Sequence, residues 1–379
     1  FTDFVASMDS VGVGIMLDGT FNHSAWDCEI GQIGVDMGLT YEVVSTDTNN
    51  VTTTNVVAVE AMDLIREVRP QWYSKRDQYG HHASHYESGA NNDIAVAPDR
   101  IDFGKWSDAA DFHFGSYDAL VQQAAGNTNN AWASAWNKRF LLEEDRFEGH
   151  DAYTRELWEY FSRYSLYWME RTGHPAGTPP EASRKGIDGL RCDFAQGLPS
   201  EFWEFCINRT RSVKWDFLFM AESLDGYSEV AGSKRHGVGY RSSRHFDILN
   251  ENMVFYWKSN FFDYPDRNNP QPHTDPVRQA LDDRRNAFDA SPILLNLTTH
   301  DEIYPSHDPY RVLYAHASCA AVDGVPMLMY GQEAGAQNDF NTYANGGEIT
   351  SAEHNFARYE SNFGKSIANF KRYNHMTNI

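Results

Sequence analysis

The sequence predicts an α/β protein built as a (β/α)8 TIM barrel with a long inserted subdomain, and three observations predict it. Short apolar runs alternate with amphipathic helical stretches. The runs are four to eight residues long, as in strands buried on both faces of a parallel sheet. Chemically active polar residues stand repeatedly at their carboxyl ends. The third observation decides between parallel folds, because a doubly wound sheet gathers such residues at one crevice and a barrel spreads them over many strand ends.

Each element has its own justification. Runs at 11–17, 187–191, 217–221 and 293–297 lead to Asp18, Asp193, Glu222 and the pair His300-Asp301, and runs at 246–249 and 325–330 add two more strands. Residues 153–169 read as a helix, since Leu157, Tyr160, Phe161, Tyr164 and Trp168 recur at three-to-four spacing. A second helix opens at Pro199-Ser200-Glu201, carries Phe202, Phe205 and Cys206 on one side and ends in Arg209 and Arg211, charges that suit the helix dipole. A third opens at Asp308-Pro309 and runs through Val312, Leu313, His316 and Ala320. Residues 2–10 read as the end of a helix. Two strands expected before Asp18 have no counterpart, so the barrel is expected to lack its first strands in this chain, and that N-terminal part of the same barrel is the expected intimate partner.

Residues 24–150 break the alternation. They are rich in Asn, Asp, Thr and Gly and too long for a plain loop. They are expected to form the inserted subdomain after the third strand, with 1–23 and 151–379 making the barrel domain. Short β-like runs at 41–45 and 55–59 are expected to be core of a small sheet there.

Composition excludes more than it identifies. Apolar residues make up 41% of 379, with ten Trp, enough for a sizeable core. The 32 basic against 53 acidic residues give a net charge of −21. Without a basic block, nucleic acid and anionic membranes are poor partners, and no apolar run approaches the ~18–20 residues of a membrane helix. Four Cys make neither a disulfide framework nor a zinc pattern, and Cys192 reads as a packed core thiol. His81, His82 and His85 read as a polar surface loop, and the four Asn-X-Ser/Thr sequons as chance. Compartment stays open, because few cysteines and no leader fit a cytoplasmic and a processed secreted protein equally.

The chemistry lies at the strand ends. Residues two apart in a strand share a face, so Arg191 and Asp193 stand together. The arginine favours the carboxylate form, which suits a nucleophile or an electrostatic stabiliser; the same pair serves equally as a structural ion pair at a barrel mouth. Glu222 closes an apolar run, where burial raises a carboxyl pKa toward general-acid use, or else it caps the following segment. His300-Asp301-Glu302 adds a third acid beside an imidazole, and Asp18-Gly19-Thr20-Phe21-Asn22-His23 a fourth cluster.

Four such clusters in this order resemble the signature regions of the α-amylase family, glycoside hydrolase family 13. Asp18 to His23 is similar to the first region, Gly189-Leu190-Arg191-Cys192-Asp193 to the second, Ala221-Glu222 to the third and His300-Asp301 to the fourth. Gly324-Val325-Pro326 through Tyr330-Gly331 to Glu333 resembles the motif on the last barrel strand. The resemblance implies a retaining glycosidase acting on α-1,4 bonds of α-glucans, with Asp193 as nucleophile, Glu222 as acid/base and Asp301 as stabiliser of the transition state. It places Asp18, His23, Arg191 and His300 around the same sugar, with Asp18 supporting Arg191. It requires no cofactor for the chemistry and leaves room for a structural calcium ion near Asn22. The sequence departs from the pattern at Gln196-Gly197, where a Lys-His pair is usual, and at Thr299, where an Asn is usual. These positions face the leaving or accepting sugar, so transglycosylation is the alternative to hydrolysis. A catalytically inactive carbohydrate-binding relative is a further one.

Overall fold

The computed structural model describes residues 1–25, 27–73, 109–112, 114, 151–179, 184–193, 195, 198, 200–223, 246–251, 278, 282, 292–296, 316–318, 320–321 and 323–328. They belong to two compact units, Phe1–Asp247 and Ile248–Ile379.

The first unit opens with helix α1, Thr2–Val11. Gly12 ends it at φ 74, with its N–H on the Asp9 carbonyl and the Val13 N–H on the Met8 carbonyl, the left-handed closure that only glycine adopts freely. The strand expected at 11–17 therefore starts later: Val11 is helical, and β1 is Met16–Gly19 with Asp18 inside it. Strand β2, His23–Ala25, and helix α2, Gly31–Asp36, follow.

Strands β3, Thr40–Thr46, and β4, Thr52–Ala58, form an antiparallel hairpin. Its turn is fixed by the Asp47 carboxylate, which accepts from the Asn49 and Val51 N–H groups, and by Asn50 at φ 61. Here the expectation of a small-sheet core fails. Every residue of β4 is exposed, Val56 at 68%, and so is Val44 of β3, at 63%. Among the described residues no layer covers this ribbon, and hydroxyl pairs Ser45–Thr53 and Thr46–Thr52 hold its register instead. Burial resumes only at Val59.

Helix α3, Ile65–Val68, and a 3-10 turn at Pro70–Trp72 lead on, and β5, Ala109–Asp111, pairs antiparallel with β2. Helix α4, Ala152–Arg171, starts where the Asp151 side chain accepts from the Tyr153 and Thr154 N–H groups, a cap worth about 1 kcal/mol. Its buried stripe is Leu157, Trp158, Phe161, Ser165 and Met169, one step round from the expected one, so Tyr164 and Trp168 lie at its edge. Glu156 of α4 takes the Arg69 guanidinium at 2.5 Å and the Trp72 indole N–H at 3.1 Å. Arg69 Nη1 donates to the Thr40 carbonyl as well. This node ties Thr40, Arg69 and Trp72 to α4.

Strand β6, Gly189–Cys192, is buried at all four positions. It leads through helix α5, Ser200–Arg211, to strand β7, Leu218–Ser223. The buried face of α5 is Phe202, Trp203, Cys206, Ile207 and Thr210, which meets α4 through Trp158 against Phe202 and Phe205. β6 pairs in parallel with β1 on one side and β7 on the other. A Cβ on Gly189 would stand 2.8 Å from Met16 Cε and 2.9 Å from the Leu218 carbonyl, so this close three-strand approach requires glycine. At the amino ends of these strands Asp188 accepts from the Ile15 N–H with one oxygen and from Lys214 Nζ with the other. Lys214 is 2% exposed and also donates to the Ile187 and Lys185 carbonyls.

In the second unit β8, Ile248–Glu251, β9, Leu294–Leu295, and β10, Val325–Pro326, run in parallel, β9 bonded to β10 and Leu249 bridged to Ile293. Residues 316–318 are helical, as expected for that segment. Strands β1, β6 and β7 of the first unit and β8, β9 and β10 of the second are each arranged in parallel, and the described strands do not by themselves close into a barrel. Among the described residues no helix is long and apolar enough to cross a membrane.

Candidate active site

Strand register builds the site. Asp18 of β1 pairs with Arg191 of β6. Cys192 pairs with Ala221 of β7, so Asp193 and Glu222, each one residue further, stand at the same level on adjacent strands. The Asp193 N–H donates to the Gly19 carbonyl, extending the β1–β6 ladder by one rung. Because alternate residues share a face, Arg191 and Asp193 point together, and Nη1 of the arginine donates to Asp193 Oδ1 at 2.6 Å. The same nitrogen donates to both oxygens of Asp18, at 2.9 and 3.0 Å. Nη2 stands 2.9 Å from Glu222 Oε2 without the alignment of a hydrogen bond, so that contact is a charge pairing.

One guanidinium therefore holds three carboxylates. They differ in exposure: the side chain of Asp18 is 58% exposed, that of Asp193 20% and that of Glu222 9%. Asp18 faces water, and the other two sit where charge is little screened. Burial opposes the arginine's charge, but Glu222, then Asp18 and Asp193, outweigh it and push its pKa further up. Arg191 is a permanent cation here. Cys192 points away into the core, fully buried, and burial pushes its thiol well up; Cys206 is likewise pushed up to about 12.

Of the residues picked from sequence, Asp18, Arg191, Asp193 and Glu222 come together. His23 lies on β2, its Nδ1 3.3 Å from Asn22 Nδ2. His300, Asp301, Gln196, Gly197, Thr299, residues 330–333 and the triad His81, His82 and His85 lie outside the described residues. In the second unit Asn296, just past β9, is 4% exposed, and among the described residues neither polar atom of its carboxamide has a hydrogen-bond partner. Sequence reasoning also missed the role of Tyr164, whose hydroxyl meets the Asp18 carbonyl; it was legible only as part of a helical stripe.

Calcium binding needs about six to eight oxygens. Among the described residues Asn22 offers one, a buried Oδ1 without a hydrogen-bond partner, and no group of three or more His, Cys, Asp or Glu is placed to hold a metal ion. These residues alone do not make a calcium site.

No family model matches the chain, and no curated protein does. Solved structures similar to it include an α-amylase from Lactobacillus plantarum, at 16% identity and TM-score 0.47 over 89% of this chain and 55% of that one. An α-amylase from Geobacillus thermoleovorans, complexed with acarbose, is 12% identical at TM-score 0.47, covering 89% and 53%. A cyclomaltodextrin glucanotransferase with a three-domain distribution is 16% identical at 0.48, covering 92% and 53%. The chain spans about half the length of these structures. The first two carry the name of the family that the sequence motifs resemble. Likeness at this level assigns no chemistry, which has to come from the side chains.

Proposed function

We propose that the chain carries the active site of a retaining glycosidase of the α-amylase family that cleaves α-1,4 bonds in α-glucans or maltooligosaccharides. The observation that carries this reading is the pair Asp193 and Glu222, level with each other on neighbouring strands and joined by one guanidinium. Adjacent strands lie roughly 4.8 Å apart, which suits the roughly 5–5.5 Å between carboxyl groups in a retaining mechanism. Asp193, half-shielded and paired with Arg191, attacks the anomeric carbon while Glu222 protonates the departing glycosidic oxygen. Water, activated by Glu222 now acting as base, then hydrolyses the ester and regenerates Asp193. Asp301 belongs to the reading as the carboxylate that favours the oxocarbenium-like state, with His23 and His300 on the sugar hydroxyls.

The test is the chromatographic product profile from maltoheptaose, with Asp193→Asn run beside the unchanged chain. Shorter sugars from the unchanged chain and none from the variant are expected. Longer sugars appearing alongside move the reading to a transglycosidase acting through the same residues. Identical traces from substrate alone and from both proteins overturn it.

A further inference from the structure

The acid cluster depends on Asp18, yet Asp18 is its most exposed member and burial does not fix it. Among the described residues β1 is hydrogen-bonded to one strand only, β6. On its other side the support comes from a helix. The Tyr164 hydroxyl of α4 donates to the Asp18 carbonyl at 3.2 Å, and the Tyr164 ring meets Phe21 edge-on at 5.5 Å. Phe21 is itself buried against Phe161 and Trp203. One side chain thus touches both ends of the 18–21 segment. Tyr164 is half-buried, and burial, then the charge of Asp18, push its phenol up, so it stays a donor.

We infer that Tyr164 is a positioning residue for the reaction, holding the carboxyl end of β1 so that the Asp18 carboxylate keeps its two-oxygen contact with Arg191. The inference rests on the glycosidase reading. Asp18 in turn sets how Arg191 divides its remaining contacts between Asp193 and Glu222. Small displacements of a positioned group cost rate steeply, up to about 100-fold for 1 Å, and loss of one hydrogen bond allows a fraction of that shift.

Tyr164→Phe keeps the ring on Phe21 and removes only the donor. On maltoheptaose it is expected to lower kcat about 5–10-fold with KM unchanged. In an Asp18→Asn background the same change is expected to cost less than about 2-fold, because the carboxylate it positions is gone. Equal losses in both backgrounds would overturn the inference, since a role confined to packing acts regardless of Asp18. Hydrogen–deuterium exchange supplies a readout that needs no activity: amides of residues 16–21 should exchange faster in Tyr164→Phe while those of β6 do not. Absence of cleavage by the unchanged chain would refute the glycosidase reading, and unchanged exchange at 16–21 would refute the positioning role by itself.

Discussion

Replacing Arg191 with Met is expected to lower kcat/KM on maltooligosaccharides by about 1,000-fold or more and to destabilise the fold. The guanidinium is the shared counter-ion of Asp18, Asp193 and Glu222. Met fills a similar volume without charge, so the packing of β6 is kept and the electrostatics are lost. Breaking a buried ion pair by removing one partner costs about 3–5 kcal/mol. The figure here belongs toward the lower end, because Asp18 faces water and solvates itself. Urea denaturation midpoints of the variant and the unchanged chain, compared at one pH, measure that loss. A variant that turns over substrate normally would show that the three carboxylates do not act through this arginine.

The second large effect lies at the other ends of the same strands. Lys214→Met should cost about 3–5 kcal/mol of stability and leave turnover per folded molecule unchanged. Lys214 is 2% exposed, and its ammonium donates to Asp188 and to two backbone carbonyls. Removing it strands these buried acceptors and leaves Asp188 without its cation. Asp188→Asn is the control: it keeps an acceptor for Lys214 or for the Ile15 N–H, so it should cost less. Denaturant midpoints for the two variants decide the matter, and a Lys214→Met loss under about 1 kcal/mol would mean that the network is dispensable.

What could be read from the sequence was local and periodic. β6 and β7 were legible because GLRC and the run before Glu222 are short and mostly apolar; β6 is buried throughout as that pattern requires, whereas in β7 Leu218 is exposed beside buried Phe219 and Ala221. α4 and α5 followed from three-to-four spacing, although the buried stripe of α4 turned out to centre on Trp158 rather than on Tyr164. The β3–β4 hairpin was misjudged because β-branched residues such as Thr and Val favour a strand whether or not anything covers it. Long-range register was out of reach. That Arg191 and Asp193 share a face followed from the strand period. That Asp18 pairs with Arg191, 173 residues away, and that Tyr164 meets its carbonyl, did not. The Asp188–Lys214 network was invisible for the same reason: a charged residue immediately before Gly189 and another beside Trp215 look like surface.

The pairing of β1 with β6 also sets an order of assembly. Joining Asp18 to Arg191 closes a loop of 173 residues, whereas joining Asp188 to Lys214 closes one of 26. Each doubling of loop length costs about 0.6 kcal/mol in chain entropy, so the longer closure carries about 1.5 kcal/mol more. Non-local pairs form late for this reason. The β6–α5–β7 unit is therefore expected to gather first, with α4 against α5, and β1 to dock last with the acid that completes the cluster. Pulse-labelled exchange during refolding should protect the amides of β6 and β7 before those of β1, and the reverse order would contradict it. On this route the first unit is folded in bulk before Asp18, Arg191, Asp193 and Glu222 stand together, and the proposed chemistry is the final thing it acquires.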